Sequence, residues 1–416
     1  MPAVSDSPLR FTFISARYGV DVLGGAEKHA RHVAERLAAR GHDVRVLTTT
    51  ARAYATWASE LPEGTTVENG VEVHRYASSP RRTPWDEALK LLSTLVPSST
   101  AIARAWARAQ GPVVRTMIDR LPAEARERDL IVFFQLLSYP TFEGLPLVAD
   151  RAALVPLVHE ERPIYTALAG RTLTLPNTML YNTEVEAARI ARVARGPLRA
   201  MLRAGVGLET PTPPSPTFTP PTPHPYVVVM GRQGKTRPLT AAWRALTTNG
   251  RLPPLDLGGA SVPWTDVRLV TVGEPSPMYD GLTNVVHAGY VSDSDRWDIL
   301  RGAVALINPS LYESLSLVLL EAWTVGRPVV VHERCDVTTH HVRESGGGIA
   351  VDFAQPDEAA HAIATGIRRS AERQAMGRRG AAFAERTFSW ERVLDIYEQV
   401  ARATRSGRGA PALAGV

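Results

Sequence analysis

Residues 308–331 read NPSLYESLSLVLLEAWTVGRPVVV. The five residues before them, 303–307 (AVALI), are apolar and bounded by turn residues, the pattern of a short buried strand. A turn at Asn308 and Pro309 leads to a helical segment from about Leu317 to Val325, closed by Gly326 and followed by a strand at 328–332. Strand, loop, helix and strand joined this tightly make the repeating unit of a parallel α/β sheet. The loop presents Glu313 at the carboxyl edge of that sheet, where open α/β sheets bind ligands. The helix starting at Leu317 offers free N–H groups and the positive end of its dipole, which makes an anion site. Glu321 lies one turn further on. Two carboxylates flanking an anion-ready helix start suit a sugar joined to a diphosphate, with hydroxyl acceptors at each end and an anion site between them.

The same alternation extends in both directions. Towards the N-terminus, strands are expected at 9–15, 44–47, 71–76, 130–134, 154–158 and 179–181. Ala26, Ala30, Val33, Leu37 and Ala38 recur at helical spacing after a loop containing Gly24 and Gly25, and Gly41 ends that helix. Thr183 with Glu186 forms a capping box that opens another helix. Residues 210–225 (TPTPPSPTFTPPTPHP) are half proline, which excludes helix and strand interior and predicts a semi-rigid linker. The pattern then restarts, with strands at 226–230, 267–272 and 285–287 and helices at 239–246 and 294–301. The expected organisation is a first α/β domain at 1–209, a linker at 210–225 and a second α/β domain at 226–388. A helix at 389–404 reaches back to the first domain, and a disordered tail occupies 405–416.

Composition narrows the function classes. The chain has 416 residues, comfortable for two domains. It contains no run of about 18 apolar residues, and its N-terminus lacks the pattern of a signal peptide. Cys335 is the single cysteine, which excludes an internal disulfide and a cysteine-based metal site. A cytoplasmic protein is expected. The net charge of +5 suits anionic small ligands or an anionic membrane surface and is too weak and dispersed for nucleic acid. The basic stretch 187–203 is interrupted at Gly196-Pro197 and reads as a solvated helical face and loop, with peripheral contact at the inner membrane face as the other reading. The two glycines at 24–25 lack the Gly-x-Gly-x-x-Gly spacing of a nicotinamide site.

Segment 308–331 resembles the Glu-x7-Glu region of family 4 glycosyltransferases. The spacing of Glu313 and Glu321 matches, as do the alanine at 322 and the Gly-x-Pro-Val strand starting at Gly326. The resemblance implies the GT-B fold: two Rossmann-like α/β/α domains facing across a cleft, with a C-terminal helix crossing back to the first. It implies that Glu313 holds hydroxyls of the donor sugar, that Glu321 holds the ribose, and that the backbone at Ser316, Leu317 and Val318 binds the diphosphate. The family usually carries glycine where this chain has Ser316. Arg232 and Lys235, after strand 226–230, correspond to the basic pair that offsets charge on the leaving diphosphate, with Arg237 competing for the second role. Gly24 and Gly25 correspond to a glycine-rich loop facing donor phosphate and acceptor. His159, at the end of the strand LVPLVH, corresponds to a histidine beside the reacting sugar, and Val291 to backbone that reads the base edge. The adjacent Glu160 and Glu161 read as surface charge, with contact to the acceptor as the other reading.

The function implied is retaining transfer of a sugar from a UDP- or GDP-sugar to an unidentified glycan, lipid-linked or small-molecule acceptor. No cofactor is implied beyond the nucleotide-sugar co-substrate. Asp293-Ser294-Asp295 has the look of a metal-binding pair but stands where a helix starts and reads as capping; the resemblance implies charge stabilisation by arginine, lysine and a helix end, with no metal required. The apolar, arginine-flanked stretch 89–108 is expected to form part of an acceptor pocket. Two alternatives are a nucleotide-sugar epimerase or hydrolase on the same scaffold and a non-catalytic nucleotide-sugar-binding subunit.

Overall fold

The computed structural model describes residues 7–22, 24–54, 56–78, 83, 85–231, 238–273 and 276–407. The chain divides into two compact α/β units. Unit 1 is Met1–Val206 together with Trp390–Val416, and unit 2 is Gly207–Ser389.

The described strands of unit 1 are β1 (Arg10–Ile14), β2 (Asp43–Thr49), β3 (Gly64–Glu68), β4 (Val71–Tyr76), β5 (Leu130–Phe134), β6 (Ala152–Val155), β7 (Thr178–Tyr181) and β8 (Met201–Arg203). They form one sheet in the order β3-β4-β2-β1-β5-β6-β7-β8, parallel throughout except at β3–β4. The helices up to β8 are α1 (Gly25–Ala39), α2 (Asp86–Leu95), α3 (Thr100–Gln110), α4 (Arg115–Glu127), α5 (Tyr139–Gly144), α6 (Ala167–Thr172) and α7 (Glu184–Val193). Strand β1 shows how the layers arise from a period of two. Phe11 and Phe13 join Ala30, Val33 and Leu37 of α1 in one core, while Ile14 joins Met117 and Leu121 of α4 in the other.

The described strands of unit 2 are β9 (Tyr226–Met230), β10 (Leu255–Asp256), β11 (Ser261–Val262), β12 (Arg268–Val272), β13 (Val285–Gly289), β14 (Leu306–Asn308), β15 (Val329–His332) and β16 (Gly348–Val351). Strands β10 and β11 pair as a small antiparallel ladder, and the rest form a parallel sheet in the order β13-β12-β9-β14-β15-β16. Its helices are α8 (Leu239–Thr248), α9 (Asp293–Gly302), α10 (Leu317–Thr324), α11 (Asp336–Ser345), α12 (Pro356–Gly366) and α13 (Ser370–Thr387). Helix α10 is held by its buried Trp323, whose Nε1 donates to Gly347 O at 2.9 Å. Gly380 of α13 permits that contact, since a Cβ there would fall 2.2 Å from Trp323 Cδ1. The chain then returns to unit 1 as α14 (Trp390–Arg405). Val393, Ile396, Tyr397 and Val400 of α14 enter the core shared by α1 and β1.

Three local readings change. The proline-rich stretch 210–225 carries no helix or strand but belongs to unit 2, where Ser215 N donates to Asp298 Oδ2 at 3.0 Å and Arg301 donates to Thr212 O. Helix α14 runs through Arg405, the first residue of the expected tail, and residues 408–416 lie outside the described residues. The basic stretch 187–203 is helical only to Val193 and ends in the edge strand β8, after the break at Gly196 and Pro197. No described helix is long and apolar enough to cross a membrane.

Candidate active site

The parallel strands of unit 2 end on one edge, at Met230, Val272, Gly289, Asn308 and His332. At the end of β14 the loop to α10 is built on Asn308. Its Nδ2 donates to Ser316 Oγ at 2.8 Å, and its Oδ1 accepts from Ser310 N at 3.1 Å. Ser316 is the N-cap of α10 with φ 73° and ψ 81°, in the left-handed region. That backbone explains why glycine is expected at this position. A serine at an N-cap normally accepts from the first turn of its helix, but this hydroxyl makes no such bond. With Ser316 turned to Asn308, the first N–H groups of α10, at Leu317 and Val318, have no intrahelical acceptor and no cap from that side chain.

Glu313 sits half-buried in the same loop. Burial pushes the Cys335 thiol up, and the Glu313 carboxylate adds to the shift, which puts Glu313 near the start of α11. Glu321 is buried at 5% exposure and ion-paired with Arg296 of α9. Arg296 also reaches Asp293 Oδ1 at 3.0 Å and lies 5.2 Å from the Trp297 ring centroid. Burial works against the Arg296 charge, but Glu321 and Asp293 outweigh it and hold its pKa above the ordinary arginine value. Arg296 therefore ties the start of α9 to α10. Sequence reasoning missed it, because the Asp-x-x-Arg spacing from Asp293 was visible but the partner Glu321 is 25 residues away. Val291 is half-buried in the loop between β13 and α9. Ser292 caps α9, accepting from Asp295 N at 3.0 Å and donating to Asp295 Oδ2 at 2.9 Å.

In unit 1, Gly24 is the N-cap of α1 with φ 151° and ψ 144°. A Cβ there would fall 2.0 Å from Glu27 Oε2 and 3.0 Å from Arg17 Nη2. Glu27 is buried and pairs with Arg17 Nη2 at 2.6 Å, while Arg17 Nη1 donates to Arg52 O at 2.8 Å. Gly24 thus rests on a buried ion pair. Gly25, by contrast, has nothing within 4 Å of where its Cβ would be. Arg17 was also missed, since a single arginine after a strand carries no spacing signal.

His159 requires a correction, because it does not end a strand. Strand β6 stops at Val155, where Pro156 lacks an N–H and Leu157 turns the chain at φ 52°. His159 follows in the loop, half-buried, with Nδ1 3.4 Å from Glu161 Oε1. Glu186 fixes that loop by accepting from Val158 N at 2.6 Å and Asn182 N at 2.7 Å. Burial pushes the Glu186 carboxyl up to about 7, against those two N–H bonds and Arg189. Thr183 Oγ1 accepts from Glu186 N at 3.1 Å, as a capping box requires, while the carboxylate reaches beyond the helix to Val158. Glu160 pairs with the buried Arg189 at 3.0 Å and the exposed Arg192 at 2.7 Å.

The structure therefore brings Val291, Glu313, Ser316, Leu317, Val318 and Glu321 to one edge of unit 2, and Gly24, Gly25 and His159 to the carboxyl side of the unit 1 sheet. Arg232, Lys235 and Arg237 lie outside the described residues. Among the described residues, no group of three or more His, Cys, Asp or Glu is arranged to hold a metal ion.

Residues 260–369, which include most of this edge, match the family model for Glycosyl transferases group 1. The D-inositol 3-phosphate glycosyltransferase of Salinispora tropica is 35% identical over 112 residues, covering 26% of this chain and 23% of that protein. Among solved structures, sucrose-phosphate synthase from Thermosynechococcus elongatus superposes with a TM-score of 0.69 at 17% identity, over 96% of this chain and 99% of that one. The Anabaena protein HepE, in complex with UDP and glucose, superposes with a TM-score of 0.62 at 14% identity, over 94% of this chain and 98% of that one. The fold is the two-domain GT-B arrangement of parallel α/β sheets.

Proposed function

We propose that this chain is a retaining, family 4 glycosyltransferase that moves a sugar from a UDP- or GDP-sugar to an acceptor hydroxyl without a metal. The observation that carries the reading is the segment from Asn308 to Glu321: a left-handed Ser316 leaves the start of α10 uncapped between two carboxylates. This segment falls within the match to Glycosyl transferases group 1. The glycosyltransferase name of the Salinispora relative and the UDP in the HepE complex support the donor class.

In the proposed reaction the acceptor hydroxyl attacks the anomeric carbon on the face from which the diphosphate departs. The C1–O bond breaks with its electron pair on the phosphate oxygen, which takes the acceptor proton. Charge growing on the diphosphate is met by the N–H groups of Leu317 and Val318 and by Arg232 and Lys235. Glu313 holds sugar hydroxyls, Glu321 holds the ribose, and the backbone at Val291 meets the base. Arg296 orients Glu321. His159 positions the sugar, and the backbone at Gly24 and Gly25 approaches donor phosphate.

A thermal-shift screen of UDP-, GDP-, ADP- and TDP-sugars tests the donor class. A true donor at 100 times its Kd adds about 2.7 kcal/mol of stability, so one base should stand out. Product NMR should show the donor's anomeric configuration kept, and an inverted product would overturn retention. Chelator should leave transfer unchanged. Rapid hydrolysis or epimerisation of donor alone would favour those activities instead, and donor binding without transfer to any acceptor would favour a non-catalytic subunit.

A further inference from the structure

Helix α2 of unit 1 does not bury its apolar surface. Trp85, just before it, is 71% exposed, Leu92 is 43% exposed and Leu95 is 67% exposed. Of the twelve exposed large apolar residues among the described ones, five (Trp85, Leu91, Leu92, Leu95 and Val96) fall within residues 85–96, so this is a patch and not scatter. An open groove of about 500 Å³ lies along α2 and the end of α3, walled by Trp85, Ala88, Leu89, Leu92 and Ala109, with Arg108 at its rim. That volume is in the range of sites for organic ligands.

The groove adjoins the carboxyl side of the unit 1 sheet. At the end of α3, Gln110 O accepts from Trp57 Nε1 at 2.6 Å, and Gln110 Nε2 donates to Tyr54 Oη at 3.4 Å. Tyr54 follows β2, and its ring centroid lies 5.6 Å from the Arg17 guanidinium beneath Gly24. On the other flank, α2 packs against the turn Arg162–Tyr165, which follows His159, and Pro97 O accepts from Ala167 N at 2.6 Å. The groove therefore sits between the segment leaving β2 and the segment carrying His159.

The charged residue of its lining is Arg108. Arg104 pairs with Glu143 at 2.7 Å and Arg108 shares the same carboxylate at a looser 3.9 Å, with its side chain 60% exposed. A cation thus stands at the mouth of an apolar trough. A flat anionic bilayer is a poorer match, because Glu87 is exposed on the same helix and the apolar walls of Trp85 and Leu92 face a concavity.

We propose that this groove holds the apolar part of the acceptor, an amphiphile whose alkyl or aromatic portion packs between Trp85, Leu89 and Leu92 with its anionic group at Arg108. The word acceptor rests on the glycosyltransferase reading, whereas the binding of the amphiphile does not.

The test uses the full chain and a photoactivatable octyl phosphate carrying a diazirine on its chain, below its micelle concentration. Crosslinks mapped by mass spectrometry should concentrate on residues 85–109. Leu92→Gln should cut that labelling at least tenfold with the thermal midpoint unchanged. Arg108→Gln should weaken octyl phosphate severalfold while leaving octyl glucoside, a neutral probe, unaffected. Labelling elsewhere, or labelling indifferent to Leu92→Gln, overturns the proposal. So does capture of the chain by phosphatidylglycerol vesicles, or self-association, if Leu92→Gln abolishes it while the monomeric probe fails to bind. If the probe binds but no donor in the panel does, the groove stands and the transferase reading falls. If a donor binds and the probe does not, the reverse holds.

Discussion

The two units each open a helix from the carboxyl side of a parallel sheet, and they free the helix start in different ways. In unit 1 the N-cap is Gly24, at φ 151°, and a buried Arg17–Glu27 pair occupies the space a side chain would need. In unit 2 the N-cap is Ser316, at φ 73°, and its hydroxyl is drawn aside by Asn308. Both junctions leave N–H groups at a helix start without a side-chain cap. The difference teaches that a glycine position has two requirements, backbone conformation and space. Gly24 is held to both, whereas at Ser316 there is room for a side chain and a hydrogen bond to compensate for the conformation.

The comparison breaks most visibly at Gly24. Gly24→Ala should cost about 3 kcal/mol or more, because it adds backbone strain to a clash with Glu27; urea denaturation measures this, and a near-neutral result would mean the Arg17–Glu27 pair does not fill that space. Glu321→Ala should cost about 2 kcal/mol, less than the roughly 3–5 kcal/mol of a fully buried pair, because the half-buried Arg296 keeps Asp293 and the nearby charge of Glu209. The same variant should lose the thermal stabilisation that a donor provides. Ser316→Ala keeps the strained backbone and removes the partner of the buried Asn308 amide, so a loss of about 1–2 kcal/mol is expected. Ser316→Gly gives up the same bond but relieves the strain, and should fall within about 1 kcal/mol of the parent. Equal losses in the two variants would show that the left-handed backbone carries no strain. The smallest effect belongs to Gly25→Ala, in the first turn of α1 with open space around it. It should be neutral or stabilising by about 0.5 kcal/mol.

What could be read in advance follows from the range of the interactions. Glu313, Glu321 and the helix between them lie within nine residues, so spacing exposes them. The alternation of Phe11 and Phe13 with Ile14 likewise announces a two-sided sheet. Arg296 and Arg17 act through partners on other elements, and no local pattern marks such pairs. The strand expected to end at His159 stops four residues early because Pro156 and the left-handed Leu157 outweigh an apolar run. The stretch 89–108 was legible as apolar and arginine-flanked, but Trp85 joins it only through the packing of α2 on α3.

The central claim is that the start of α10 receives the diphosphate of a nucleotide. Hydrogen–deuterium exchange of the full chain, with and without saturating UDP or GDP, tests it at Leu317 and Val318. Slowed exchange at the start of α10, together with the segments around Val291 and Glu321, is the predicted result. Measurable nucleotide binding that leaves exchange at 317–320 unchanged would contradict it.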